Sequence, residues 1–200
     1  MNVPDSKSVS VRPPKSKLRK NAESAWDLIK FAAIAIAIVV PIRMFVAQPF
    51  VVSGESMYPT FNDGQYLIVD EISYSLFGPH RGDVVIFRYP NDPSRFFIKR
   101  IIGMPNEKIN IKDGAVTIIN KENPEGFTLS EPYIDEKFAT TNNYSTGNDE
   151  YFVMGDNRNR SSDSRIWGTV PSKLLIGRAY LRLLPASSIS YLPGDYKEAK

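Results

Sequence analysis

The sequence predicts a mainly β protein: an antiparallel β-sheet or barrel preceded by one N-terminal transmembrane α-helix. Three observations carry this. A charge-free apolar run lies near the N-terminus, helix-period patterns all but vanish after it, and the short alternating runs that replace them are punctuated by Gly, Pro and Asp-Gly. With 42% hydrophobic and 24% charged residues, the 200-residue chain can bury the core of one domain with an appendage.

Residues 1–25 read as a disordered basic tail. Lys7, Arg12, Lys15, Lys17, Arg19 and Lys20 stand against Asp5 and Glu23, a net of +4, so a chain with a formal charge of +3 keeps only −1 for all that follows. No basic stripe is left to bind nucleic acid. Phe31 to Ile42 carries no charge and is bounded by Lys30 and Arg43. Twelve helical residues cover about 18 Å, short of the roughly 30 Å hydrocarbon core. Residues 26–47 are long enough if Lys30 and Arg43 snorkel to the headgroups and Trp26 sits at the interface. The basic flank predicts a cytoplasmic tail and an extracytoplasmic remainder. A cleaved secretory signal shares the basic flank and short apolar run, but Ala47-Gln48-Pro49 is a poor small-x-small exit, so the sequence favours an uncleaved anchor.

Strands are expected at Phe50–Val52, Gln65–Val69, Asp83–Tyr89, Arg95–Gly103, Lys108–Ile111, Val116–Ile119, Glu150–Met154 and Ile176–Leu184, with Asp113-Gly114 as a hairpin turn. In the last of these Arg178, Tyr180 and Arg182 alternate with Gly177, Ala179, Leu181 and Leu183, as in a sheet with one wet face. Residues 120–149, rich in Asn, Thr, Glu and Gly, read as a short loop-rich insertion with at most one hairpin. This leaves 48–187 as the folded domain and 188–200 as a C-terminal tail.

Composition narrows the chemistry. The chain has no cysteine and one histidine, His80, which excludes disulfides, thiolate metal sites and an imidazole zinc cluster. Ser56 lies in Ser53-Gly54-Glu55-Ser56-Met57-Tyr58-Pro59-Thr60, where Gly54 permits close backbone approach and Pro59 stiffens the exit. About forty residues later, strand alternation in Phe96-Phe97-Ile98-Lys99-Arg100-Ile101-Ile102 sets Lys99 on the face of Phe97 and Ile101. Loss of hydration among such neighbours lowers an ammonium pKa, and the neutral amine can then accept the Ser56 proton. Arg100 should face the other way and stay charged. His80, in the turn Phe77-Gly78-Pro79-His80-Arg81-Gly82, has nothing to place it beside Ser56. A third cluster, Gly155-Asp156-Asn157-Arg158-Asn159-Arg160-Ser161-Ser162-Asp163-Ser164-Arg165, is too polar for a core strand and suits a satisfied polar network beside a reactive site.

These segments together resemble the type I signal peptidases, membrane-anchored Ser/Lys proteases of peptidase family S26, in a compact form. Ser53 to Thr60 looks like the nucleophile box, Gly82 to Arg88 like the strand after it, Lys99 to Pro105 like the lysine box, and Gly155 to Arg158 with Ser161, Asp163, Ser164 and Arg165 like the last box. The resemblance implies Ser56 as nucleophile, Lys99 as general base, Ser161 orienting the lysine and an Asp163–Arg165 pair bracing the loop. It implies substrate lying as an added strand near Phe50, Val51 and Val52, with small residues required at the first and third positions before the cut. The expected partners are preproteins with signal peptides and the lipid bilayer, with no nucleic acid, metal or cofactor. Three positions depart from the family pattern. Asn159-Arg160 stand where many members carry Asp-Asn, and Gly54 stands where some carry a serine that helps bind the oxyanion, which shifts that task to backbone N–H groups. A self-cleaving repressor-type Ser/Lys protease shares the Ser-Met and Lys-Arg pairs but carries a DNA-binding domain in place of the anchor. A non-catalytic membrane-tethered β module would require Ser56 and Lys99 to be coincidence.

Overall fold

The computed structural model describes residues 26–38 and 47–195. The expected tail at 1–25 and residues 39–46 of the expected anchor lie outside the described residues. The chain divides into two units, 1–42 and 43–200. In the first, residues 26–38 form helix α1, whose Trp26, Leu28, Phe31, Ile34, Ile36 and Ile38 are all more than half exposed. Among the described residues no helix is long and apolar enough to cross a membrane.

The second unit is built almost wholly from antiparallel strands. In chain order they are β1 (Ala47–Val51), β2 (Tyr66–Asp70), β3 (Val84–Tyr89), β4 (Asp92–Gly103), β5 (Lys108–Lys112), β6 (Ala115–Ile119), β7 (Phe127–Thr128), β8 (Asn142–Ser145), β9 (Glu150–Met154), β10 (Val170–Pro171), β11 (Leu175–Leu184) and β12 (Ser190–Tyr191), with short helices α2 (Ile72–Phe77) and α3 (Ser164–Trp167). One sheet runs β1-β2-β11-β3-β4-β9-β10 with β12 on β11, and a smaller one runs β7-β6-β5-β8. Each of the eight expected strands is present within a few residues of its expected ends. The two-residue strands β7, β10 and β12 are too short to leave an alternation pattern.

The long strand β4 organises the core. Phe97 and Ile101 pack with Val85, Phe87 and Val153, while Ile98 packs against Val52, Met57 and Leu67, and Ile102 against Ile109, Phe152 and Met154. Register pairs Lys99 with Val85 and Arg100 with Val84, so a lysine and an arginine enter the interior from adjacent positions of one strand. The β5–β6 turn is as expected: Asp113 and Gly114 have φ of 50° and 85°, the two left-handed residues of a tight hairpin.

Residues 120–149 are loop-rich as expected, but they also help build the smaller sheet. They form no hairpin of their own. Instead β7 and β8 pair onto the two sides of the β5–β6 hairpin, and Phe127, Leu129, Ile134, Phe138 and Tyr144 complete its apolar face. A two-stranded ribbon cannot bury that face alone, so the polar-looking excursion supplies the missing cover. The expected C-terminal tail is likewise tied down through residue 195: β12 pairs with β11, and the Gly194 carbonyl accepts from Arg100 Nη1 at 2.5 Å.

Candidate active site

The loop after β1 carries Ser56. Val52 N–H donates to Gln65 O at 2.9 Å, Gly64 N–H to Val52 O at 2.9 Å, and Phe61 N–H to Met57 O at 2.9 Å. Met57 and Phe61 are fully buried and pin the loop to the core. The residue between them and the strand end is thereby held half-exposed, as a nucleophile needs to be. Gly54 N–H donates to Asp63 Oδ1 at 2.7 Å, so Gly54 shapes the loop rather than pointing a free donor into the cleft. The Ser56 N–H makes no hydrogen bond to another described residue.

Strand β4 brings Lys99 to this loop. Its Nζ lies 2.7 Å from Ser56 Oγ and donates to Ile98 O at 2.9 Å, 5.5 Å from the Phe97 ring centroid. The residue is only 4% exposed. Burial pulls the ammonium pKa down to about 8, while the charges of Asp163 and Asp156 pull it partly back up. A cleft of about 460 Å³ opens over this pair, lined among others by Phe50, Val51, Val52, Phe96, Phe97 and Ile98.

The segment after β9 closes the site from behind. Asp163 Oδ2 accepts from Gly155 N–H at 3.0 Å and its Oδ1 from Arg165 Nε at 2.8 Å; Arg165 Nη2 donates to Arg158 O at 2.7 Å. Asp163 also caps α3, accepting from Arg165 N–H. Asn157 N–H donates to Ser56 O at 3.1 Å, and a Cβ placed on Gly155 would lie 2.2 Å from Ser161 Oγ and 2.4 Å from Ser56 O. A glycine is therefore required where the two loops meet. Ser161 does not make the expected bond to the lysine: its hydroxyl is buried without a partner, and Lys99 Nζ turns to the Ile98 carbonyl instead. His80 sits exposed on the turn before β3, its nearest carboxylate Asp83.

Sequence reasoning missed what holds the floor of the site. Arg100 and Asp156, both fully buried, form a two-pronged ion pair at 2.8 and 2.6 Å, and Thr60 Oγ1 donates to the same carboxylate at 2.5 Å. This joins the Ser56 loop, β4 and the Gly155 segment through one carboxyl group. A signal was available. A charged residue opposite Lys99 in so apolar a strand demands a buried counter-ion, and Asp156 is the acid in the neighbouring polar box. Arg158 is paired in the same way with Glu131, a residue from the stretch read as a surface excursion. Among the described residues no group of three or more His, Cys, Asp or Glu is placed to hold a metal ion.

Comparison with known proteins places residues 25–184 in the family model described as "Signal peptidase, peptidase S26". A probable signal peptidase I-2 of Synechocystis sp. is 34% identical over 192 residues, covering 92% of this chain and 85% of that protein. A signal peptidase I of Leptolyngbya laminosa is 36% identical over 175 residues, covering 82% of each. A signal peptidase I of Bacillus amyloliquefaciens is 31% identical, covering 84% of this chain and 90% of that one.

Proposed function

Given that this chain belongs to the signal peptidase family, peptidase S26, we propose that Ser56 is the nucleophile and Lys99 the general base with which it removes signal peptides from exported preproteins. As a signal peptidase I it is a serine endopeptidase, and the residue roles are what this reading adds. The observation that carries them is the 2.7 Å approach of a buried amine to a serine hydroxyl. At pH 7 an ordinary lysine is neutral in about one molecule in three thousand, whereas one titrating near 8 is neutral in about one in ten.

In the proposed cycle Ser56 Oγ attacks the carbonyl of the last signal-peptide residue as neutral Lys99 takes its proton. The oxyanion meets the Ser56 N–H. Collapse breaks the C–N bond, Lys99 returns the proton to the departing amine, and the mature chain leaves as a free N-terminus. Water then attacks the Ser56 ester with Lys99 again as base, releasing the signal peptide as a carboxylate and restoring the hydroxyl. To Ser161 we assign the orienting of the amine once the lysine lets go of Ile98, which its buried, partnerless hydroxyl supports, and to the Asp163–Arg165 pair the bracing of the segment. Among the described residues strand β1 ends the sheet and pairs on one side only, which supports substrate binding as an added strand along Phe50, Val51 and Val52.

Residues 26–47 are proposed as the membrane anchor, with 1–25 cytoplasmic and 48–187 extracytoplasmic. The large apolar side chains of α1, each more than half exposed, support this, because such a surface is costly in water and favourable in lipid. Anchoring also confines enzyme and embedded signal peptide to one plane, raising their effective concentration. Incubating an Ala-x-Ala preprotein with the wild type, Ser56→Ala and Lys99→Arg tests the roles. Cleavage is expected from the wild type alone, and appreciable turnover by Lys99→Arg would refute the lysine as base.

A further inference from the structure

A second cleft, of about 260 Å³, lies beside the loop that carries the nucleophile. Its walls include Glu55, Tyr58, Asn157, Arg160, Asp135 and Glu136. Asn157 is the residue whose N–H holds Ser56 O and whose side chain donates to Glu55 O at 3.1 Å. Glu55 and Arg160 line both clefts, and their side chains meet at 2.7 Å, exposed on the ridge between them. One member of this pair directly precedes Ser56 and the other directly precedes Ser161. The reaction gives the ridge a meaning. If the signal peptide lies in the first cleft along β1, the chain on the other side of the cut bond must leave across this ridge.

We propose that the second cleft receives the first residues of the mature protein, and that the Glu55–Arg160 ion pair is the threshold they cross and the determinant of the charges accepted there. The inference rests on Ser56 being the nucleophile and on signal peptide occupying the first cleft. Arg160 is one of the positions at which this chain departs from the family pattern, so the threshold is a property of this sequence. Its charge balance follows from the pairing. Asp156 is neutralised by Arg100, Arg158 by Glu131, and Glu55 and Arg160 by each other. Asp135 and Glu136 have no cationic partner among the described residues, although Asn159 Nδ2 donates to Glu136 at 3.3 Å. The intact cleft therefore favours basic over acidic residues shortly after the cut, and each half of the ion pair, once bared, pushes that preference in its own direction.

The test uses full-length enzyme in detergent at low salt and two preproteins identical except for Lys-Lys or Glu-Glu at the second and third mature positions. The quantity read is the ratio of their kcat/KM values. The wild type should prefer Lys-Lys by about three- to tenfold, the effect of one or two exposed charge contacts. Arg160→Gln, which bares Glu55, should raise the ratio severalfold, and Glu55→Gln, which bares Arg160, should lower it severalfold. A merely structural clasp would slow both substrates alike and leave the ratio fixed. A third preprotein, with Ala→Val at the third position before the cut, should be slowed by the same factor in all three enzymes. A ratio that stays constant across the variants, or a change confined to the Val preprotein, overturns the proposal while leaving the Ser56 and Lys99 assignment intact. Failure of the wild type to cleave any of the three, by contrast, would sink the assignment itself.

Discussion

Replacing Lys99 with methionine separates the chemical role of this residue from its effect on the fold. The side chain is almost fully buried and titrates near 8 rather than 10.5, so the folded state holds its proton less tightly than the unfolded state does. The folded wild type is therefore penalised by about 3 kcal/mol below pH 8, and the penalty is relieved as pH rises from 8 towards 10.5. Methionine fills a similar volume without charge. It forfeits the bonds to Ser56 Oγ and Ile98 O, at about 1 kcal/mol each, so at pH 7 Lys99→Met should be inactive yet as stable as the wild type or more stable by about 1 kcal/mol. The pH dependence is the sharper quantity. Between pH 7 and pH 10 the wild type should gain about 2–3 kcal/mol relative to the variant. Urea unfolding of both full-length proteins in detergent, followed through Trp167, which packs 6.5 Å from the Phe97 ring, measures the difference at each pH. A difference that does not change with pH would mean that Lys99 is an ordinary lysine in the folded protein, and the basis of the proposed chemistry would fall.

The floor of the site yields further expectations. Asp156→Asn leaves Arg100 buried with half its partner, and should destabilise by about 3–5 kcal/mol, whereas Arg100→Met with Asp156→Leu removes both charges and should cost less than either single change in the same unfolding assay. Gly155→Ala forces its Cβ against Ser161 Oγ and the Ser56 carbonyl, so it should lower kcat at least tenfold through a displaced nucleophile. Gly114→Val should destabilise the smaller sheet by more than about 1 kcal/mol, because the residue needs a left-handed φ and its Cβ would lie 2.3 Å from Phe138 O; hydrogen exchange in β5 and β6 would report it. Ser161→Ala removes a buried hydroxyl that has no partner, so unfolding free energy should move by less than about 1 kcal/mol while kcat falls.

Much of the fold was legible because its strands are long enough to alternate and its turns use residues that turns require. Asp113-Gly114 fixed one hairpin, and the apolar–charged sequence of β4 placed Lys99 beside Phe97 and Ile101 before any partner strand was known. What escaped was set by contacts distant in the chain. The edges β7 and β8 exist because the β5–β6 hairpin needs its apolar face covered, and nothing in their own composition marks them as strands. The ion pairs Arg100–Asp156 and Arg158–Glu131 were hidden for a different reason: each charge looks like a solvated residue when read alone, and becomes structural only when the sheet brings it to an interior position. The alignment of Ser56 with Lys99 could be inferred from motif and residue type. The partnerless state of the Ser161 hydroxyl could not, since it depends on how two segments distant in the chain pack together.

The pH dependence of kcat/KM for cleavage of an Ala-x-Ala preprotein is the most direct measure of the free amine on which catalysis is proposed to depend. The rate should rise about tenfold per pH unit and level off near pH 8, the value at which the buried lysine loses its proton. A plateau already reached well below pH 8 would mean a base other than this lysine, and a rate still climbing towards 10.5 would mean an unperturbed lysine; either result contradicts the account.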